Sequence, residues 1–327
     1  MAPKTKKKAS SSQVPLRIAV AAPSGPYDIK AYNKGIRILE SKGARVLSHA
    51  EQRHAAQYYL NGSDKERLKE LKGALVNKDA DVVWLARGGY GLTRLLSDLK
   101  GLRMPGRPIV IGFSDGTALL SHMYQNYGLA GLHGPSIASL GKGDPPGNKA
   151  LWQILSGNAV KVRYPKLKVR HVPSRTSMRI PARIEGTLMP ANLCVLTHLI
   201  GTPSFPKLDG SILILEEINE PMYRLDRMLT QLIDSGSLSG VLCVVVGHLT
   251  GCDGNGASMP KAKQHDPTQV FVERMESVGI PVASHLPMGH EHPNMPVPFG
   301  VRGAVDFEAG GARLSILEEL INKRVGK

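Results

Sequence analysis

Between residues 16 and 150 the sequence changes period repeatedly, and this alternation restricts the fold more than any other feature. "LRIAVAAP" is an apolar run of strand type. "DIKAYNKGIRILESKG" follows, with Ile29, Tyr32, Ile36 and Leu39 at helical spacing, and it stops at Gly43. "ARVLSH" returns to a strand. "SDKERLKELKGALVNKD" returns to a helix, opened by Ser63 with Glu66 three residues on, the arrangement of a capping box. "ADVVWLARGG" reads as a buried strand ending in glycines, "GLTRLLSDL" as a helix and "RPIVIGFS" as a further strand. Strands separated by helices pair in parallel, in a sheet covered on both faces. Ligands of such sheets sit beyond the carboxyl ends of the strands. Both "RGGYG" and "GFSDG" fall at such ends.

Residues 160–182 break the pattern. They are rich in proline and basic residues without helical period, as a linker would be. Beyond them come shorter strand-like runs, "SILILEEI", "GVLCVVVGHL" and "GARLSILEE", and two helices. "MYRLDRMLTQLIDSG" puts Leu225, Met228, Leu229 and Leu232 on one face; "DPTQVFVERMESVG" opens with Asp266 as cap and Pro267 at the first helical position. The expected fold class is therefore α/β. An N-terminal parallel-sheet domain (14–160) is joined through a linker (161–182) to a smaller, β-rich α/β domain (183–327). Residues 1–13 are expected to form a disordered basic tail and not a cleaved signal, because Arg17 interrupts a short apolar stretch that is itself the first strand.

Composition excludes several classes. Hydrophobic residues make up 42% and charged residues 21%, as in ordinary globular chains. No apolar run approaches the roughly 18 residues that span a bilayer, so no membrane partner is expected. Three scattered cysteines (Cys194, Cys243, Cys252) suit a reducing compartment, with the cytoplasm as default. The net charge of +15 raises the question of nucleic acid, but four of the lysines sit in the tail and the other basic residues are spread along the chain. Aromatics are only 5% and do not interleave with basic residues, so small anionic ligands are the better expectation.

Gly112-Phe113-Ser114-Asp115-Gly116 satisfies G-x-S-x-G, the nucleophile-elbow pattern, in the strand-then-helix context that it requires. On such a bend a hydroxyl projects clear of the sheet, and the following N–H groups can stabilise an oxyanion. The competing reading is that Ser114 or Asp115 only caps the helix "GTALLSHMYQNYG". A nucleophilic serine needs a base, and the base an orienting acid. Of eleven histidines, His285, His290 and His292 gather in the Gly/Pro-rich stretch "HLPMGHEHPNMPVPFG". With Glu291 they could instead ligate zinc, although the spacing fits no helical zinc motif. For the acid, Glu216 and Glu217 end an apolar strand, where a carboxylate is costly unless paired.

With these pieces located, residues 16 to about 320 resemble the LD-carboxypeptidase family of serine peptidases, which includes the microcin-immunity peptidases. The resemblance runs in order through "AAPSG", the helix, strand and glycine turn of "NGSDKERLKELKGALVNKDADVVWLARGGYG", "GFSDGTALL", "HGP" at 133–135, "LMPANLCVLTHLIGTP", "LILEEINEPMYRLDRML" and "MGHEHPNMPVPFG". It implies Ser114 as nucleophile, His290 as base and Glu216 as acid, with Glu217 as the fallback. The oxyanion hole would use backbone N–H groups of Gly88 (or Gly89) and Asp115. Arg87 and Arg94 are candidates for a substrate carboxylate, and Asn192 lies on the substrate side. There Met189-Pro190-Ala191 departs from the family's usual glycines. Arg224 and Asp226 are expected to pair structurally, and Trp84 to be core. The activity implied is release of the C-terminal D-alanine of a peptidoglycan-derived tetrapeptide, with no cofactor or metal, by a homodimer. The alternatives are an immunity-type peptidase acting on a peptidyl-nucleotide or related amide, and a non-catalytic protein that binds an anionic ligand.

Overall fold

A computed structural model describes residues 15–51, 58–171, 182–254 and 265–322. The basic tail and His54 lie outside them. From the N-terminus come β1 (Arg17–Ala21), α1 (Ile29–Ser41), β2 (Arg45–Ser48), α2 (Asp64–Val76) and β3 (Val82–Leu85). Next are β4 (Ile109–Gly112), α3 (Gly116–Tyr127), β5 (Gly131–His133), α4 (Ile137–Lys142) and α5 (Pro145–Leu155). The second half holds β6 (Lys168–His171), β7 (Arg183–Asn192), α6 (Leu193–His198), β8 (Ser211–Ile218) and α7 (Met222–Asp234). It ends with β9 (Cys243–Thr250), α8 (Thr268–Val278), β10 (Val282–Ser284), β11 (Val297–Phe299), β12 (Val301–Glu308) and β13 (Gly311–Ile316).

Two sheets result. The first has the order β11-β5-β4-β3-β1-β2, parallel except for β11, which runs antiparallel to β5. The second has the order β13-β12-β7-β8-β9-β10-β6, with β7 to β10 parallel and the outer strands antiparallel. The architecture is mixed α/β, as the alternation predicts. Because side chains alternate along a strand, the central strands feed two apolar layers. In β3, Val82 and Trp84 join one buried cluster, Val83 and Leu85 the other. In β8, Ile212 and Ile214 join one, Leu213 and Leu215 the other. Trp84 is fully buried, as expected, and donates its indole N–H to the Pro135 carbonyl (2.7 Å).

Three local differences from the sequence reading have physical causes. "GLTRLLSDL" forms only a 3₁₀ turn at Leu96–Leu99. Gly91, at φ +139°, breaks the entry, and the Leu92 amide is held by the Asp115 carboxylate (3.0 Å) instead of starting a helix. Asp266 does accept the Thr268 amide (2.9 Å), but α8 starts at Thr268, one residue later than expected. In the basic stretch after residue 160, Tyr164 is buried and donates to the Pro296 carbonyl (2.7 Å), and β6 pairs with β10. The rest of that stretch, 172–181, lies outside the described residues. No helix among the described residues is long and apolar enough to cross a membrane.

One feature of the topology governs the site. The histidine-rich loop leaves β10 in the second sheet and ends at β11 in the first, with Val297 paired to His133. It therefore carries its side chains across the junction between the two sheets.

Candidate active site

β4 ends at Gly112, and the chain turns through Ser114 at φ +59° into α3. A non-glycine residue in the left-handed region costs on the order of 1 kcal/mol and persists only where neighbours enforce it. The enforcing contacts come from the next residue. Asp115 stands at the N-cap position of α3 but makes no side-chain capping bond. Its buried carboxylate accepts instead from Ser24 Oγ (2.6 Å) and the Leu92 amide (3.0 Å), while burial raises its pKa. The capping reading of this turn therefore fails for Asp115. Arg67, fully buried, braces the same region by donating to the carbonyls of Pro23, Gly62 and Gly91. Three turns at the carboxyl ends of β1, β3 and β4 are thus tied into one unit. Sequence reasoning missed Ser24 and Arg67, because nothing local marks a residue whose partner lies far along the chain.

The glycine turn after β3 presses directly on the serine. A Cβ at Gly88 would stand 3.0 Å from the Ser114 Cβ and 3.3 Å from its Oγ. Only a residue without a side chain lets backbone approach a hydroxyl so closely.

Facing this bend is the histidine loop. The ring of Phe113 packs on that of His290 with centroids 4.9 Å apart. His290 Nδ1 and Glu216 Oε2 are 2.7 Å apart, which leaves Nε2 as the nitrogen free for proton transfer. Burial disfavours charge on His290, but the hydrogen bond and charge of Glu216, with Glu217 further off, outweigh it and hold its pKa above the ordinary imidazole value. Glu216 is fully buried at the carboxyl end of β8.

Glu217 points to the opposite side of the strand and has a different task. It accepts from Asn192 Nδ2 (3.0 Å) and from the amides of Cys194 (2.7 Å) and Ile218 (2.8 Å). Burial, against those bonds, pushes its pKa up to about 7. Asn192 is itself buried. It caps α6 by accepting from the Val195 amide (3.0 Å), so its side chain is spent inside the protein.

Ser114, Gly88, Phe113, His290, Arg87 and Lys142 line one cleft of about 640 Å³. Arg87 is exposed and donates to the Pro26 carbonyl. Arg94 lies elsewhere, paired with Asp64 (2.6 Å). Arg224 and Asp226 do not pair with each other, because residues two apart on a helix point in different directions. Arg224 meets Glu220 (3.1 Å) and Asp226 faces Arg274 (3.5 Å). The histidines weighed as zinc ligands take separate partners: Ser284 for His285 (2.7 Å), Glu216 for His290 and Asp144 for His292 (3.5 Å). Among the described residues no group of three or more His, Cys, Asp or Glu side chains is gathered as a metal would require.

This constellation stands on two halves that each match a known family model. The LD-carboxypeptidase N-terminal domain matches residues 18–134, and the LD-carboxypeptidase C-terminal domain matches residues 185–305. The chain belongs to the LD-carboxypeptidase family.

The murein tetrapeptide carboxypeptidase of Pseudomonas aeruginosa is 32% identical to it over 295 residues, covering 87% of this chain and 91% of the relative. The probable murein peptide carboxypeptidase of Bacillus subtilis is 30% identical over 294 residues, 88% of each chain. The crystal structure of the muramoyltetrapeptide carboxypeptidase of Oxalobacter formigenes superposes with a TM-score of 0.75 at 27% identity, covering 93% of this chain and 100% of that one. The microcin C7 self-immunity protein, solved in complex with glutamyl sulfamoyl guanosine, shares the fold with a TM-score of 0.76 at 22% identity, covering 94% of this chain and 98% of that one. LD-carboxypeptidase membership makes the chain a carboxypeptidase-like hydrolase with the serine-elbow architecture described above.

Proposed function

We propose that the protein is a serine carboxypeptidase that hydrolyses an L-D amide to release the C-terminal D-alanine of a peptidoglycan-derived tetrapeptide. The observation that supports this reading best is the contact of Phe113, the chain neighbour of Ser114, with the ring of His290, which is itself bonded to Glu216 and lines the same cleft as the serine. His290 Nε2 takes the Ser114 proton as Oγ adds to the substrate carbonyl. Glu216 fixes the imidazole through Nδ1 and balances its positive charge. The amides of Gly88 and Asp115 receive the developing oxyanion. His290 then returns the proton to the nitrogen of the departing D-alanine, and water attacks the acyl-enzyme by the same proton route. Arg87 and Lys142 supply positive charge on the cleft wall for the free carboxylate of a peptide end.

The test is D-alanine release from murein tetrapeptide, read by mass, with pentapeptide and an aminoacyl-sulfamoyl nucleoside as parallel substrates. Release from the tetrapeptide by the wild type and none by Ser114→Ala is the expected result. Turnover of the sulfamoyl nucleoside alone would move the assignment to an immunity-type peptidase. Equal release by Ser114→Ala would remove the serine mechanism.

A further inference from the structure

The mechanism uses one oxygen of Glu216 and leaves the other unexplained. Oε1 is fully buried with no hydrogen-bond partner among the described residues, and both nitrogens of His133 are in the same condition. Buried polar atoms are seldom left unpaired, since each forgoes its bonds to water. These two face each other: His133 Nε2 stands 3.9 Å from Glu216 Oε1.

The surroundings leave few other partners for that oxygen. Gly289 and Gly247 pack tightly on Glu216; a Cβ at Gly289 would come within 2.9 Å of Oε2, and one at Gly247 within 3.3 Å of the Glu216 Cβ. The backbone of His133 is held on both sides. As the last residue of β5 it is paired to Gly112 on one side and Val297 on the other, and its ring meets the edge of Phe113 at 6.2 Å. It thus links the strand that delivers the nucleophile, the loop that delivers the base and the buried acid.

Burial pushes the His133 pKa down to about 4, so the ring is neutral near pH 7 and carries one N–H to donate. Closing the gap by about 1 Å makes an ordinary N–H···O bond, and bonds in unliganded sites often tighten in the reacting complex.

We propose that His133 is a positioning residue, whose Nε2–H donates to Glu216 Oε1 and locks the carboxylate that orients His290. This rests on the serine reading above. A core histidine that merely fills space would have no such effect on the reaction.

The other titratable groups near the pair are Glu217 on β8, His248 on β9, and Glu291 and Asp144 at the cleft. They remain unchanged in the variants chosen. His133→Gln keeps an N–H near the position of Nε2; His133→Asn withdraws it by one bond; His133→Leu removes it. The readout is the pH profile of fluorophosphonate inactivation, which needs no murein substrate. At the plateau, His133→Leu and His133→Asn are expected to react at least about 10-fold more slowly than wild type, with the acid limb moved to higher pH as the Glu216 charge falls on His290 alone. His133→Gln should stay within about 3-fold of wild type.

The downfield proton resonance of the His290–Glu216 bond gives a second reading that requires no serine chemistry. It should shift in His133→Leu and His133→Asn and persist in His133→Gln. If His133→Leu does not fold, the Asn–Gln contrast decides. Equal rates, limbs and resonances for those two would overturn the proposal. A wild type inert to the probe would defeat the serine reading alone, and the resonance would still judge His133.

Discussion

Gly88→Ala tests the elbow with a single methyl group. Gly88 does not occupy the left-handed region, so alanine brings no conformational penalty of its own, and the whole effect is contact. The added carbon would stand 3.0 Å from the Ser114 Cβ, 3.3 Å from its Oγ and 3.3 Å from the Phe113 carbonyl oxygen. Relaxed contacts between carbon atoms lie at about 3.5–4.0 Å, and at 3.0–3.3 Å the glycine turn and the elbow must give by a few tenths of an ångström. Overpacking of this kind costs about 1–3 kcal/mol of stability, which a fold of this size can absorb. Catalysis is less tolerant, because the same displacement separates the hydroxyl from both the imidazole and the amides proposed as oxyanion donors. A misplacement of about 1 Å is worth about 10²-fold in rate, so a few tenths of an ångström is worth up to about 10-fold, or about 1.4 kcal/mol of barrier. The assay is D-alanine release from murein tetrapeptide at saturating substrate, with a thermal melt alongside. The expected result is a kcat lower by about 5–10-fold in a folded protein. Activity within about 2-fold of wild type would refute the argument that close approach at Gly88 positions the serine.

Three further outcomes follow from the structure. Glu216→Gln should lower kcat by about 10³–10⁴-fold and move the acid limb of kcat/KM to lower pH, because His290 then keeps only the more distant charge of Glu217 against the burial that disfavours its own; an unmoved limb would deny the coupling. Asn192→Ala removes the α6 cap and a bond to the buried Glu217, and should lower the unfolding free energy by about 1–3 kcal/mol in a urea titration; a higher KM with unchanged stability would return Asn192 to the substrate. His122 is buried, and desolvation lowers its pKa to about 4. Its neutral form is favoured by folding, so its contribution is complete above pH 6.5 and is lost as pH falls towards 4. In His122→Gln the dependence of unfolding free energy on pH across that window should weaken by about one proton; an unchanged slope would show that His122 does not titrate on unfolding.

Much of this was legible in the chain because it is local. The period changes of the first 150 residues give the strands and helices, the Ser63–Glu66 capping box forms as written, and a serine between glycines after an apolar strand marks the bend. Alternation also shows that only one of Glu216 and Glu217 can meet the histidine loop, since consecutive strand residues face opposite sides, but which of them does so appears only in the contact with His290. What was hidden is long-range. The Ser24–Asp115 bond spans 91 residues and the His290–Glu216 contact spans 74, and no spacing rule reports either. Nor does composition reveal that Val297–Phe299 returns to the first sheet, yet that strand brings the histidine loop to the serine. His133 was visible only as part of "HGP"; its significance appears when β5 sets its ring against a buried carboxylate.

The most direct measurement of the central claim is the site and rate of fluorophosphonate modification, found by peptide mapping and intact mass. A single phosphonyl group on Ser114, added at least about 10²-fold more slowly in His290→Ala, is the result expected if this imidazole deprotonates this hydroxyl. Modification of a different residue, or an equal rate without His290, would contradict it.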